Sequence, residues 1–399
     1  MEQKRNIAIY GAGVAGLFCA LKLLEQGHRV TIFERTSKIA KKFLIAGSSG
    51  LNITHSEDFA HFVTRYGENQ LFFKEALAKF SNKDLINWCE NDLGIELFTG
   101  SSKRVFPKTM TAGEFIKKWK DKLAEFESFS LIKESPFKGF DENKIPIVSN
   151  YDTSKFDAHI FALGGASWPT TGSNILWLEE FSKIGIQTVP FEAMNCGFKI
   201  SWSNEFRSVI ENTHLKNIVI KFDTIEKRGE VMLTKYGIEG SAIYALSREI
   251  RNRINLSTNA QISLDLRPDT DLNTLRKKIE LPRKKNSYSN HIRKVLNLTK
   301  IEMILLKEIL SQEDYLNPLK LIEIIKELPL QLDSPTPMDE AISTSGGISM
   351  SEINEFCQIK KYPKLFVIGE MLDWDAPTGG YLIQGCFSTA YICSNYFNN

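Results

Sequence analysis

A short apolar run that ends in Gly-x-Gly-x-x-Gly leaves a chain few folds to choose from. Residues 6–16 read Asn-Ile-Ala-Ile-Tyr-Gly-Ala-Gly-Val-Ala-Gly. Residues 7–10 have the length and character of a buried strand, and three glycines turn that strand directly into a helix beginning near Val14. Each glycine has its own task. Gly11 permits the tight turn, Gly13 has no Cβ to keep a pyrophosphate off the backbone, and Gly16 lets the helix press against the strand. The helix N-terminus then offers unpaired N–H groups and a positive dipole end to phosphates.

The flanking sequence supports this reading. Leu17, Leu21 and Leu24 recur at helical spacing, Gly27 closes the helix, and residues 30–33 read as a second strand ending in Glu34. Glu34 lies 23 residues after Gly11, where a carboxylate accepts hydrogen bonds from both ribose hydroxyls of an adenosine and repels a 2'-phosphate. Ala12 within the turn and Arg35 beside Glu34 join the cofactor-binding candidates.

At 399 residues the chain suits two or three domains. Its 42% hydrophobic and 25% charged residues are those of a soluble globular protein, and a formal net charge of +2 argues neither for nucleic acid nor for an anionic membrane surface. Lys4 and Arg5 precede an apolar stretch, as in a signal peptide, but the stretch holds nucleotide-binding glycines and no cleavage site. No other segment reaches the ~18 apolar residues of a membrane span. A cytoplasmic protein with no membrane partner is expected. The six cysteines form no C-x-x-C pair and no metal spacing with the six histidines, so no metal is expected. Cys386 and Cys393 read as packing residues.

Further along, Lys41 and Lys42 open a loop of small and hydrogen-bonding residues to His55, from which Lys42 could reach a pyrophosphate. Helices are expected over 83–91, 112–126 and 175–184, and residues 156–161 read as a strand running into Gly164 and Gly165. From about Phe191 the texture changes. Runs at 218–222, 231–233 and 262–266 look antiparallel, Lys235 and Tyr236 sit in a glycine-bounded loop, and 271–328 look helical. The lysine-rich surface of residues 71–129 reads as a solvated face, and for the basic run from Arg283 to Lys294, which has no aromatic but Tyr288, nucleic acid binding is the minority reading. Residues 365–368 are again a buried strand, followed by glycine-rich 369–384 and a last helix over 385–396. A second glycine turn feeding a second helix implies a ligand with two polar ends. Glu370 or Asp373 can accept from sugar-alcohol hydroxyls, and the last helix dipole can stabilise a reduced flavin. FAD accounts for this terminal section; a nicotinamide nucleotide does not.

These blocks, with residues 42–54, 162–165, 234–241 and Ser345-Gly346-Gly347-Ile348, make the chain resemble the HI0933-like (BaiN-type) family of FAD-dependent oxidoreductases. Gly-Glu-Met-Leu-Asp-Trp-Asp-Ala-Pro-Thr-Gly-Gly-Tyr-Leu, from Gly369, is most similar to its short, functionally unassigned flavoprotein branch. The resemblance implies an α/β fold: a Rossmann-type FAD-binding domain split into 1–190 and 340–399, with an inserted β-barrel-like plus helical substrate or cap domain at 191–339. It places Gly11, Gly13 and Gly16 at the pyrophosphate and Glu34 at the ribose. Asn52, Glu370, Asp373, Gly379, Gly380 and Tyr381 lie around the ribityl chain and isoalloxazine, with Thr54, Gly164 and Gly369 beside them. Two departures stand out. Many members carry Gly-Arg-Cys-Asn where this chain has Ser49-Gly50-Leu51-Asn52, and Thr-His where it has Thr234-Lys235.

The expectation is therefore an FAD-dependent oxidoreductase acting on a small molecule by hydride or electron transfer at flavin N5. NAD(P)H enters, if at all, as a transient reductant, since no second Gly-x-Gly-x-x-Gly follows a strand. No catalytic unit stands out, and Lys235 and Tyr236 are the substrate-side candidates. The alternatives are a flavin-bearing binding or redox-sensing protein without turnover, and a nucleic-acid-modifying flavoenzyme. Reductase or amine oxidase, and oligomeric state, stay open.

Overall fold

The computed structural model describes residues 4–47, 50–108, 111–172 and 175–398. Ser49 of the 41–55 loop falls outside them. Two compact units emerge, one of residues 1–192 with 342–399, the other of 193–341.

The first unit is built on strand β1, Asn6–Tyr10, followed by helix α1, Val14–Glu25, and strand β2, Arg29–Phe33. Residues 7–10 of β1 are fully buried, as a parallel strand covered on both faces requires. β1 pairs in parallel with β2 on one side and with Ala158–Phe161 on the other. Phe129–Ile132 extends the sheet beyond β2, and Leu365–Val367 extends it beyond Ala158–Phe161. The strand order thus reverses direction at β1, the place where open α/β sheets bind ligands. Tyr10 stacks on Phe33 and Phe161 at 5.6 and 4.7 Å between ring centres, locking the three strands together. The C-terminal helix Tyr381–Asn395 packs on α1 through Phe387 against Phe18, ring centres 4.7 Å apart.

Three local expectations change. The last helix begins at Tyr381 rather than Gly385, because Gly379 and Gly380 at φ +125° and +92° end the turn and the Gly380 carbonyl accepts the Gln384 N–H at 2.9 Å. The loop expected from Lys41 opens as helix α2, Lys41–Ala46, anchored by buried Phe43. The helix expected over 83–91 is Asn82–Asn87 followed by a π-helical turn, Trp88–Asp92.

The second unit carries a seven-stranded sheet, all of whose pairings are antiparallel. Its long hairpin joins Thr213–Phe222 to Ile225–Thr234. The two outermost strands, Leu328–Leu332 and Ser334–Pro335, are separated in the chain by Asp333 alone. The sheet therefore curls until its edges nearly meet, giving the barrel-like form, with helices between Leu272 and Lys326 packed alongside.

Candidate cofactor site

The β1–α1 turn shows why three glycines are needed. A Cβ on Gly11, at φ +105°, would stand 2.4 Å from the Ala162 carbonyl oxygen, and one on Gly16 would stand 2.1 Å from the Gly11 carbonyl oxygen. Gly16 thus packs under the turn and does not line a cavity. Gly13 differs: a Cβ there would meet nothing within 4 Å, because it faces a cavity of about 1110 Å³ built entirely from the first unit. Gly13 caps α1 with no side-chain acceptor and no acidic residue in the first turn. Such a helix end presents its N–H groups and its positive dipole to whatever enters.

The same cavity is bordered by a second helix end of the same kind. Gly380 caps Tyr381–Asn395, again with no side-chain acceptor and no acid in the first turn. Gly379, Gly380, Gly369 and Gly164 all line the cavity, and a Cβ on Gly164 too would meet open space.

Polar side chains stand between these ends. Glu34 accepts the Ala12 N–H at 2.9 Å on Oε2, and the Thr36 N–H and hydroxyl at 2.8 and 2.9 Å on Oε1. The carboxylate is thereby fixed at the cavity wall, beside Ala12. Arg35, also lining, donates to the Gly172 carbonyl at 3.1 Å. Lys42 is paired with Glu370 at 2.8 Å, so the two candidates hold each other. Asn52 lines the cavity while its amide nitrogen donates to the Thr54 and Val105 carbonyls.

Thr54, Asp373 and Tyr381 lie behind the wall rather than in it. Thr54 is buried and donates to Gln384 Oε1 at 2.9 Å. Asp373 accepts the Gly346 N–H at 3.0 Å, tying the C-terminal block to strand Ser343–Ile348. Tyr381 donates its hydroxyl to Glu57 at 2.6 Å, and Arg65 grips the same carboxylate with two bonds of 2.9 and 2.6 Å. Burial by itself would raise the Glu57 carboxyl, but the Arg65 and Tyr381 hydrogen bonds outweigh it and hold the group below its usual range.

Sequence reading missed Arg104, Trp168 and Trp177 in the wall, and took Cys386, close in sequence to the flavin blocks, as a packing residue, whereas it too lines the cavity. Arg104 Nε lies 3.7 Å from where a Cβ on Gly379 would stand. No local motif announces it, since His55 pairing with Arg104 across an antiparallel ladder brings it there. Burial pushes the Cys386 thiol well above its ordinary range, which argues against a thiolate nucleophile. Lys235 and Tyr236 belong to the second unit, on the exposed turn between Ile225–Thr234 and Gly237–Glu239, with Tyr236 77% exposed.

Residues 5–396 match the family described as HI0933-like protein Rossmann domain. The chain belongs to the HI0933-like family. Among HI0933-like relatives, the ribosomal RNA dihydrouridine synthase of Haemophilus influenzae is 24% identical, covering 99% of this chain and 98% of its own. The Escherichia coli protein of the same name is 25% identical over 98% of each chain. A 3-dehydro-bile acid delta(4,6)-reductase of Clostridium scindens is 23% identical over 97% of each. Among solved structures, the 3-ketosteroid-delta4-(5alpha)-dehydrogenase of Rhodococcus jostii superposes with a TM-score of 0.51 at 11% identity, covering 98% of this HI0933-like chain and 96% of that one. That likeness concerns the fold alone. No helix among the described residues is long and apolar enough to cross a membrane.

Proposed function

We propose that the chain is an FAD-dependent oxidoreductase that reduces a carbon–carbon double bond conjugated to a carbonyl. One observation carries the cofactor assignment: two helix ends without side-chain caps, at Gly13 and Gly380, border one cavity together with Glu34. A ligand with an anionic centre and a second electron-rich end fits that pair, and Glu34 beside the first end suits the adenosine ribose that a flavin mononucleotide lacks. The open space over Gly13 is the cradle a side chain would fill, so the residues fit the group.

In this reading the α1 end and Gly13 take the pyrophosphate, and Glu34 takes the adenosine ribose hydroxyls without moving, because three donors already fix it. Glu370, held by Lys42, faces the sugar-alcohol chain. Gly379, Gly380 and Arg104 border the isoalloxazine end, where the guanidinium and the helix dipole favour negative charge. FAD, when bound, supplies hydride transfer at N5. NAD(P)H acts as transient reductant, and Lys235 and Tyr236 serve the substrate.

The double bond is drawn from chemistry shared by the relatives' names. Dihydrouridine synthesis and delta(4,6) reduction both saturate a carbon–carbon bond conjugated to a carbonyl. The test is anaerobic. Flavin released from purified protein is identified by chromatography; the oxidised holoprotein is then offered a primary amine, and, separately, holoprotein reduced with NADPH or NADH is offered an α,β-unsaturated ketone and an isolated alkene. Reoxidation by the conjugated ketone alone is expected; FMN in place of FAD, or flavin reduction by the amine, would overturn the proposal.

A further inference from the structure

Charge in the second unit is segregated. Between Arg276 and Lys294 stand eight basic side chains, three at 276–278, three at 283–285, then Arg293 and Lys294, against one acid, Glu280. The whole chain is only +2, so everything outside this segment is acidic on balance. Seven of the eight are exposed and Lys278 is half-buried. Among the described residues, none of the eight is drawn into an ion pair.

The segment is one helix–loop–helix. Leu272–Ile279 ends in three cations, and Tyr288–Val295 in two more. His291 reaches the Ile279 carbonyl at 3.3 Å, and Lys294 reaches back to Asn286 in the loop at 3.0 Å. Basic residues in a last helical turn offset the helix dipole, which accounts for five of the eight. Arg283, Lys284 and Lys285 lie on the loop, in neither helix, and that account does not reach them.

We propose that this lobe binds the phosphate backbone of RNA. The choice of RNA rests on the reductase reading, since a uracil ring carries a double bond conjugated to a carbonyl. Tyr288 donates its hydroxyl to the Tyr315 carbonyl at 3.1 Å and lies edge-on to that ring, so it is spent on packing. The lobe therefore follows phosphates and positions the strand without stacking on bases.

The probe is a fluorescein-labelled RNA hairpin with a uridine-rich loop, titrated with full-length flavin-loaded protein by anisotropy between about 50 and 300 mM salt. R283E/K284E/K285E should weaken binding at least about tenfold at low salt and flatten the salt slope by about 2, at ~0.7–0.9 per lost phosphate contact. K74E/K117E/K120E, exposed lysines of the first unit, reverses the same charge elsewhere and should change binding less than about twofold. Equal weakening by both variants, no binding at the lowest salt, or equal affinity for duplex DNA or phosphatidylserine vesicles would overturn the assignment. Flavin reoxidation by a small conjugated ketone should be untouched in both variants. Its failure in the parent protein would remove the reductase reading while leaving the binding result to stand by itself.

Discussion

The Tyr381 hydroxyl donates to Glu57 Oε1 across 2.6 Å, turning the first side chain of the C-terminal helix away from the cavity that its neighbours Gly379 and Gly380 line. The consequence is structural rather than chemical. We predict that Tyr381→Phe lowers stability by ~1.5–3 kcal/mol, the worth of a hydrogen bond to a charged partner, and leaves flavin content unchanged. Urea melts alongside the flavin-to-protein absorbance ratio check this; full stability with lost flavin would place the ring at the cofactor instead.

Stability should fall with acid in two stages. His159 is pushed down to about 4 by burial, and burial also lowers His55, whose Nδ1 accepts the Glu57 N–H while its Nε2 faces the Ser102 carbonyl. Glu57 is held low as well, despite its burial, by Arg65 and Tyr381. In all three the folded pKa lies below the unfolded one, so the unfolded chain binds more protons and stability drops as pH drops. The histidine contributions are complete above about pH 6.5 and fade below it; that of Glu57 is complete above about 4.3 and is lost through its lower folded value. His159→Asn should shrink the upper stage of a denaturant midpoint–pH curve. A curve flat from pH 7 to 5 would contradict this.

Gly11 and Gly13 should fail in different ways. Gly11→Ala forces a Cβ to 2.4 Å from a backbone oxygen at φ +105°, and is predicted to cost more than ~2 kcal/mol of fold stability. Gly13→Val meets open space and should melt like the parent apoprotein yet retain no flavin. Thermal melts of the flavin-free proteins, followed by FAD titration, separate the two. Full flavin retention by Gly13→Val would mean the turn has been misread.

Lys235→Ala and Tyr236→Phe are predicted to leave melting temperature and FAD content near those of the parent, since both side chains are exposed on their turn. The expected change is in the rate of flavin reoxidation by substrate, read by stopped flow. Unaltered rates in both variants would remove the pair from the substrate side.

What could be read from sequence was local. Gly11, Gly13 and Glu34 fall within one strand–helix–strand segment, and their spacing carries the chemistry. Antiparallel runs such as 218–222 announced the second sheet, but its near-closure depends on two outer strands meeting at Asp333. Arg104 reached the wall through pairing with His55, and Tyr381 turned inward toward Glu57, 324 residues away. The start of the last helix was misplaced because Gly385 resembles a helix opener, whereas left-handed Gly379 and Gly380 end the turn earlier.

Ala158–Phe161 pairs with β1 on one side and with Leu365–Val367 on the other, and this discontinuity sets a clock. On the ribosome the parallel sheet must wait for its outer strand while roughly 200 further residues are made, about 10–40 s at ordinary elongation rates. Throughout that interval an apolar strand edge stands open, the surface on which chains pair wrongly. Residues 193–341 are synthesised wholly within the wait and can fold first. Ribosome-stalled chains whose emerged portion ends between residues 342 and 364 should therefore yield to protease before residue 193 and resist it after. Resistance throughout would refute the order. The hazard to this protein is one of timing, greatest before translation ends.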